Sequence, residues 1–447
     1  MTQMSDKVAE RPLASLVQMP WLLTALIGVG YYIAARLSLL LQVQPENIAV
    51  FWPAAGLSAG ALIALGPRAI RPVGIAVVLA TFIANVGSGA NVVLALLFGL
   101  CNAVECVGVA LIVWRLHGHP FELDTLGKVL GFLAATLAAT AIAALPASWG
   151  LIYILSVEVP LLTLWHTWLE SDAVGIATVA PLFVTLPTAF SERIALPRLI
   201  EGFVILALLI ATAIHVFANL PAGASWPSLV PIGLLFPLLL WLAARCPPIF
   251  AAAGAFAVAL AIVSCVINGY GVLGHKSLPL PDRVFAAQVA MLTLTLCALA
   301  LAAVITSQRS IVAQLRVSDQ RQRIASSAAG LGVFEWRIKE DMAVWENDRM
   351  YEIFGHTRAD GTLSFAEFKS RFLDPKQVES IERAFDIAFS RGEGQVACRI
   401  RRKDGEWRDI DIIGAVEKDS AGLPERMIGV VANTSLSGGA ARSGSPC

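Results

Sequence analysis

The sequence predicts a polytopic α-helical membrane domain of eight to ten spans, followed by a cytoplasmic α+β domain. Of the 447 residues, 57% are hydrophobic and 15% charged, whereas soluble domains are about 25% charged. The long apolar segments all precede Thr306, and the residues after it are much more polar. With 33 basic and 33 acidic residues the formal net charge is +0, so the composition does not favour a nucleic-acid partner.

Apolar segments of about 20 residues are long enough to cross the hydrocarbon core of a bilayer. Ten segments are candidates, and the second and eighth are short enough to be re-entrant. The candidates are Trp21–Leu41, Val50–Gly66, Ile70–Val86, Val92–Trp114, Val129–Leu145, Leu161–Phe183, Phe203–Leu220, Leu229–Ala244, Ile249–Ile267 and Val284–Thr306.

Basic residues fall mostly in alternate loops. If the N-terminus, which carries Lys7 and Arg11, is placed inside the cell, every loop predicted to be cytoplasmic contains Lys or Arg. The loops predicted outside contain none, except the last, which carries Lys276 and Arg283. Because cytoplasmic loops are enriched in Lys and Arg, we expect both termini on the cytoplasmic side of a bacterial inner membrane.

Three ionisable side chains lie within predicted spans: Arg36, Glu105 and Asp172. Such groups are costly in a bilayer and usually face the protein interior or a wet cavity. In one interpretation Arg36 pairs with Glu105 or Asp172 in a pocket that holds a small ligand. In the other, an ion pair or interhelical hydrogen bonds merely fix helix packing, and Arg36 extends to the membrane interface.

Short motifs also recur in the spans. A W-P-x-x-G string opens the second span, an N-x-x-E pair lies in the fourth, and a W-x-x-x-D-x-x-G-x-x-x-x-x-P string lies in the sixth. The eighth span ends in Ala-Ala-Arg. The matching positions are Trp52, Pro53, Gly56, Asn102, Glu105, Trp168, Asp172, Gly175, Pro181 and Arg245.

With these motifs, residues 15–310 resemble a membrane-associated sensor domain of the first type, one of the MASE group of bacterial signalling domains. The resemblance implies detection of a signal in or across the inner membrane and coupling to a cytoplasmic output. It names no ligand. Apart from Pro181, the motif positions together with Arg36 are the candidate signal-sensing residues.

The segment 307–328 is polar and is expected to continue the last span as a helix. At coiled-coil spacing its seam contains only two large apolar residues, Ile311 and Leu315, which is few for a stable dimer. The pattern is compatible with a signalling helix in a homodimer and equally with a solvated tether.

Residues 329–435 show an α+β pattern. Alternating residues predict strands at Val333–Ile338 and Ala343–Trp345, followed by short helices, the first capped by Asp348, and a longer amphipathic helix from Asp374 to Gly392. Three more strands follow, at Val396–Arg402, Trp407–Val416 and Arg426–Asn433. We expect the core or a small ligand cavity to be filled by Phe334, Trp336, Ile410 and Val430.

Several strings in this region resemble the large PAS subgroup often found beside kinases and cyclases. They are Ala329–Trp336, Tyr351–Gly355, Arg401–Trp407 and Ile428–Val431. The Asn-Cys-Arg motif of flavin-binding relatives is missing, and His356 is better explained as a surface residue than as a haem ligand. We therefore expect no cofactor and no metal.

The predicted domain boundaries are 1–20 for a cytoplasmic N-terminal tail, 21–306 for the membrane domain, 307–328 for a helical linker, 329–435 for the PAS domain and 436–447 for a flexible tail. The sequence contains no phosphate-binding loop, phosphoacceptor-histidine context, cyclase signature or helix-turn-helix. No catalytic residue and no enzymatic activity are predicted.

The leading hypothesis is a membrane signal sensor without its own output domain, which acts on a cytoplasmic kinase, cyclase or other signalling partner. One alternative is a truncated or split sensor histidine kinase or diguanylate cyclase. Another is a secondary transporter with a PAS regulatory tail, suggested by the ionisable groups within the spans.

The loop charges generate a topology prediction. Reporter fusions after Pro197 and after Arg309 should both report the cytoplasm, and a fusion after Ala222 should report the opposite side. Paired alkaline phosphatase and green fluorescent protein fusions measure this directly. A periplasmic signal after Arg309 would contradict the ten-segment topology.

Overall fold

The computed structural model describes residues 17–40, 50–191, 194–219, 233–269, 273 and 279–434. The chain divides into two compact units, Met1–Ser310 and Ile311–Cys447. The first sixteen residues, several loops counted in the charge pattern and the predicted tail at 436–447 lie outside the described residues.

The described part of the first unit is built of α-helices. Their bounds are α1 Pro20–Leu40, α2 Pro53–Leu65, α3 Ile70–Val86, α4 Val92–His117, α5 Leu126–Leu155, α6 Leu161–Ser191, α7 Leu196–Asn219, α8 Leu235–Arg245, α9 Pro248–Asn268 and α10 Leu280–Ala328. Eight helices among the described residues are long and apolar enough to cross a membrane. The remaining two, α2 and α8, have 13 and 11 residues, so the prediction of eight to ten spans is confirmed.

The short helix α2 is buried along most of its length and packs closely on α6. Added to Gly56, a Cβ atom would overlap the carbonyl oxygen of Gly175, and one added to Gly175 would overlap that of Trp52. Farther along α2, a Cβ on Gly60 would lie 2.6 Å from the Cα of Ala180. Small residues permit this approach of two backbones, and it sets the distance between Trp52 and α6.

The last helix, α10, runs without interruption for 49 residues. It contains the tenth apolar segment and the polar segment that follows it, so the expected continuation of the last span as a helix is observed. A single proline, Pro281, lies in its first turn, where the missing N–H has no partner to lose.

The described part of the second unit is a five-stranded antiparallel sheet with helices on one face. The strand order is β2-β1-β5-β4-β3. The bounds are β1 Leu331–Arg337, β2 Met342–Trp345, α11 Asp348–Phe354, α12 Val378–Arg391, β3 Glu393–Arg401, β4 Trp407–Lys418 and β5 Pro424–Asn433. This is the element order expected from the sequence. The cap of α11 differs, because Asn347 rather than Asp348 accepts the hydrogen bond from the Met350 N–H.

The core of the second unit contains Phe334, Trp336 and Ile410 as expected, but Val430 is a correction. Side chains along β5 alternate between the two faces, and Met427 and Val431 are the ones that are buried. Val430 is half-buried on the opposite face of the sheet. The apolar run through this strand fits both faces, and a phase error of one residue moves every side chain to the wrong face.

A cavity of about 70 Å³ lies among the aromatic side chains of this core. Small-molecule sites have volumes of about 300–1,000 Å³, so this cavity is smaller than such a site, and most of its lining side chains belong to the core. Asp341 fixes the adjacent turn. Its carboxylate accepts hydrogen bonds from the Trp336 indole at 3.1 Å and from the backbone N–H groups of Phe365 and Ala366 at 2.7 and 3.2 Å.

The contact between α2 and α6 generates a stability prediction. Gly175→Ala should destabilise the membrane unit by about 1–3 kcal/mol, because the added methyl group meets a backbone carbonyl that cannot turn away. Gly74→Ala is the matched control, since a Cβ atom there has open space within 4 Å. The temperature at which the detergent-solubilised chain aggregates should fall for the first variant only. Equal temperatures for both would show that the two helices do not approach this closely.

Candidate functional site

A cavity of about 410 Å³ opens at one end of the membrane unit. Its walls come from the last turns of α1, α3 and α5 and the first turns of α4 and α6, including Leu39, Asn85, Leu155, Leu94 and Leu164. The turns at 87–91 and 156–160 connect these helices, and neither contains Lys or Arg. The cavity therefore belongs to the end of the bundle whose described loops have no basic residues.

The inner end of the cavity is polar. It brings together four of the residues predicted from the sequence: Trp52, Asn102, Trp168 and Asp172. Beneath them lies Tyr31, which is fully buried.

The hydroxyl of Tyr31 connects three helices. It accepts a hydrogen bond from Asn102 Nδ2 at 2.8 Å and a longer one from Trp52 Nε1 at 3.5 Å. Tyr31 and two residues that line the cavity, Thr81 and Ser171, were not among the site residues predicted from the sequence. A tyrosine hydroxyl in the middle of an apolar span was the signal that could have revealed the first of these.

Glu105 and Asp172 form a buried carboxyl pair. Only 1% of Glu105 and 4% of Asp172 are exposed, and the two carboxyl groups lie within interaction distance of each other. Among the described residues, no donor is aligned with either oxygen of Glu105 or with Asp172 Oδ2. Thr140 and Trp168 lie near the pair, yet their polar hydrogens do not reach it with hydrogen-bond geometry.

Arg36 does not pair with this acidic group. Its Nη1 donates to the Ala84 carbonyl at 3.4 Å and to the hydroxyl of Ser88, at the C-terminal end of α3. A cation is favourable at this end of a helix dipole. The interpretation of Arg36 as the partner of Glu105 or Asp172 is therefore wrong, because its long side chain extends toward the helix ends rather than into the bundle.

Arg245 also lies apart from the cavity. It ends α8, and its Nε donates at 2.5 Å to Glu201 on α7, which also accepts a hydrogen bond from Trp241. The remaining predicted positions act through the backbone. Pro53 occupies the first turn of α2, and the glycines at 56 and 175 set how closely α2 approaches α6.

The two units of the chain match two known protein families. Residues 23–309, more than half of the chain, match MASE1, and residues 344–431 match a family described as PAS fold. The chain belongs to the MASE1 family and carries a PAS fold after it. It is a multi-pass membrane protein, and the combination fits a membrane signal-sensing protein. Neither matched domain is catalytic.

Similar solved structures all cover about a quarter of the chain. A sensory box histidine kinase/response regulator from Burkholderia thailandensis is 23% identical over 26% of this chain and 87% of that chain, with a TM-score of 0.24. The N-terminal domain of a diguanylate cyclase with PAS/PAC sensor from Marinobacter aquaeolei is 16% identical over 24% and 98%, with a TM-score of 0.22. No match is found among curated proteins.

The hydrogen bonds of Tyr31 generate a third prediction. Tyr31→Phe should lower the stability of the membrane unit by about 1–3 kcal/mol, since it leaves two buried N–H groups without their acceptor. Tyr32→Phe is the matched control, because Tyr32 is the next residue and is exposed. Thermal aggregation of the solubilised chain measures both, and equal losses would contradict the role of the Tyr31 hydroxyl.

Proposed function

We propose that this chain is a receptor of the bacterial inner membrane, in which the MASE1 unit binds a small molecule and the PAS domain passes the signal to a cytoplasmic partner. The observation that carries the proposal is the 410 Å³ cavity with buried polar groups that lack partners at its inner end. Its volume lies within the range of about 300–1,000 Å³ that small-molecule sites have.

The charge pattern supports a cavity that opens to the outside of the cell. Its rim lies at the end of the bundle whose described loops have no Lys or Arg. The opposite end carries Arg68 between α2 and α3, Arg71 in the first turn of α3 and Arg115 in the last turn of α4. Cytoplasmic loops collect such residues, so a signal arriving from outside has direct access to the cavity.

A hydrogen bond supports coupling from the cavity to α10. Gln288 of α10 is buried, and its Nε2 donates to the Val50 carbonyl at 3.2 Å. Val50 lies two residues before Trp52, which lines the cavity. A ligand that shifts Trp52 therefore acts on a backbone segment held by α10, and the same helix continues to Ala328, three residues before β1.

The reporting activity is assigned to a separate kinase or cyclase that the PAS domain contacts. PAS domains resembling this one often lie beside such enzymes. The transporter alternative has the intramembrane carboxyl pair in its favour, but among the described residues no Lys, Arg or His forms an ion pair with it.

The proposal is tested through the partner. The chain is extracted from membranes of its native host after cross-linking, and the co-purifying signalling enzyme is identified. Its activity is then measured in membranes that contain the wild-type chain, Asp172→Asn or Glu170→Gln. Glu170 is the matched control because it lies on the same helix, is paired with His166 at 2.8 Å and does not line the cavity.

Asp172→Asn should change the partner's activity at equal expression, whereas Glu170→Gln should leave it as in wild type. Unchanged activity in both variants would overturn the receptor proposal. Uptake of a solute by proteoliposomes that contain this chain alone would favour the transporter instead.

A further inference from the structure

The acidic pair at the inner end of the cavity lacks a compensating positive charge. The carboxyl groups of Glu105 and Asp172 lie within interaction distance of each other, both residues are almost fully buried, and Arg36 is engaged elsewhere. No ion pair among the described residues involves either carboxyl group. Burying unpaired charge is costly, so the pair is stabilised either by holding a proton or by binding a cation. Asp172 lines the cavity, which gives a cation a route to it.

The other unpartnered polar atoms at this end include acceptors, the Ser171 hydroxyl, which can donate or accept, and one donor, the Trp168 indole N–H. Asn102 uses its amide nitrogen to donate to Tyr31, and this assignment leaves its carbonyl oxygen as the free atom. That oxygen, Asp172 Oδ2 and the hydroxyl of Ser171 are all buried without a partner. A ligand that satisfies the oxygens of Asn102 and Asp172 must bring at least two donors, because an acceptor left unpaired in a buried site costs free energy.

The walls suit a cation with an apolar body. The rings of Phe98 and Trp168 pack together with their centroids 4.8 Å apart, and both line the cavity with Trp52. Aromatic faces attract cations, most strongly where water is excluded. The outer part of the cavity is lined by leucines from α1, α4, α5 and α6, which favour an apolar group over a second charge.

We propose that the cavity binds a protonated primary amine that carries an apolar body, with the ammonium group between Asp172 Oδ2, Asn102 Oδ1 and the aromatic rings. Two N–H groups of the ammonium then have oxygen acceptors and the third faces an aromatic ring, and its single charge balances the acidic pair when Glu105 and Asp172 share one proton. A quaternary ammonium has the charge but no donors, a neutral alcohol has a donor but no charge, and an anion is repelled. This assignment names the ligand class of the receptor site proposed above and rests on that proposal.

The first experiment uses the wild-type full chain in lipid nanodiscs and a matched series of probes. These are 2-phenylethylammonium, its N,N,N-trimethyl derivative, 2-phenylethanol and 3-phenylpropionate, with binding measured by calorimetry. We expect saturable binding of the primary amine, weaker binding of the trimethyl derivative and no comparable binding of the alcohol or the acid. If the alcohol binds as well as the amine, or if the amine does not bind, the proposal is overturned.

The second experiment uses variants of the same chain. Asp172→Asn should weaken binding of 2-phenylethylammonium by about thirty-fold or more, since truncating one member of a buried charge pair is costly. Glu170→Gln should bind it as wild type does, because Glu170 does not line the cavity. Equal affinity in all three chains would overturn the assignment. The probe series on wild type decides the question even if Asp172→Asn fails to fold.

The two proposals can fail separately. If the amine does not bind but Asp172→Asn still alters the partner's activity, the receptor function stands and the ligand class is wrong. If the amine binds through Asp172 but the partner's activity never changes, the amine site stands and the receptor function falls.

Discussion

The close approach of α2 to α6 is the constraint on which the membrane unit depends. Two glycines, Gly56 and Gly175, face each other where a Cβ atom on either would overlap backbone. In hydrocarbon, helices gain little from burying apolar surface against one another, so association relies on contact this close and on hydrogen bonds. Here the contact also brings the backbone nitrogen of Trp52 to 3.4 Å from the carbonyl oxygen of Ser171, to which it donates a hydrogen bond. The two sides of the polar cavity are thereby held at a fixed separation.

The polar side chains at the inner end of the cavity are costly to bury without partners. This cost is consistent with a function rather than with packing alone. Thr136 and Ser148 show how a buried hydroxyl is usually satisfied in this unit, each donating to a carbonyl one turn earlier in its own helix. The atoms at the inner end of the cavity have no such local partner. A structural ion pair would have supplied its own cation. The absence of one among the described residues separates this site from the ion pair of Glu201 and Arg245, which joins α7 to α8.

The sequence predicted much of the fold because its strongest signals are local. Apolar length identified the spans, including the two helices that are too short to cross, and alternation with turn residues identified all five strands. The failures have a different origin. Val430 lies in a strand with apolar residues on both faces, so alternation could not fix its phase. For Arg36 the sequence left two interpretations open, because the direction of a long side chain depends on neighbouring helices, and Tyr31 was missed because its partners are 21 and 71 residues away.

The two hydrogen bonds that Tyr31 accepts have one more consequence. The oxygen and the NH₂ group of a carboxamide are nearly equal in size, but one accepts and the other donates hydrogen bonds. The neighbouring groups therefore determine the orientation of the carboxamide. Because the neutral Tyr31 hydroxyl accepts a hydrogen bond from the amide N–H of Asn102, the carbonyl oxygen of Asn102 is left as the free end of the carboxamide. Reversing that one group would place N–H donors where the carbonyl oxygen lies and would remove one acceptor from the ammonium site. Tyr31, a neutral residue that does not line the cavity, thus contributes to the preference of the cavity for a cation.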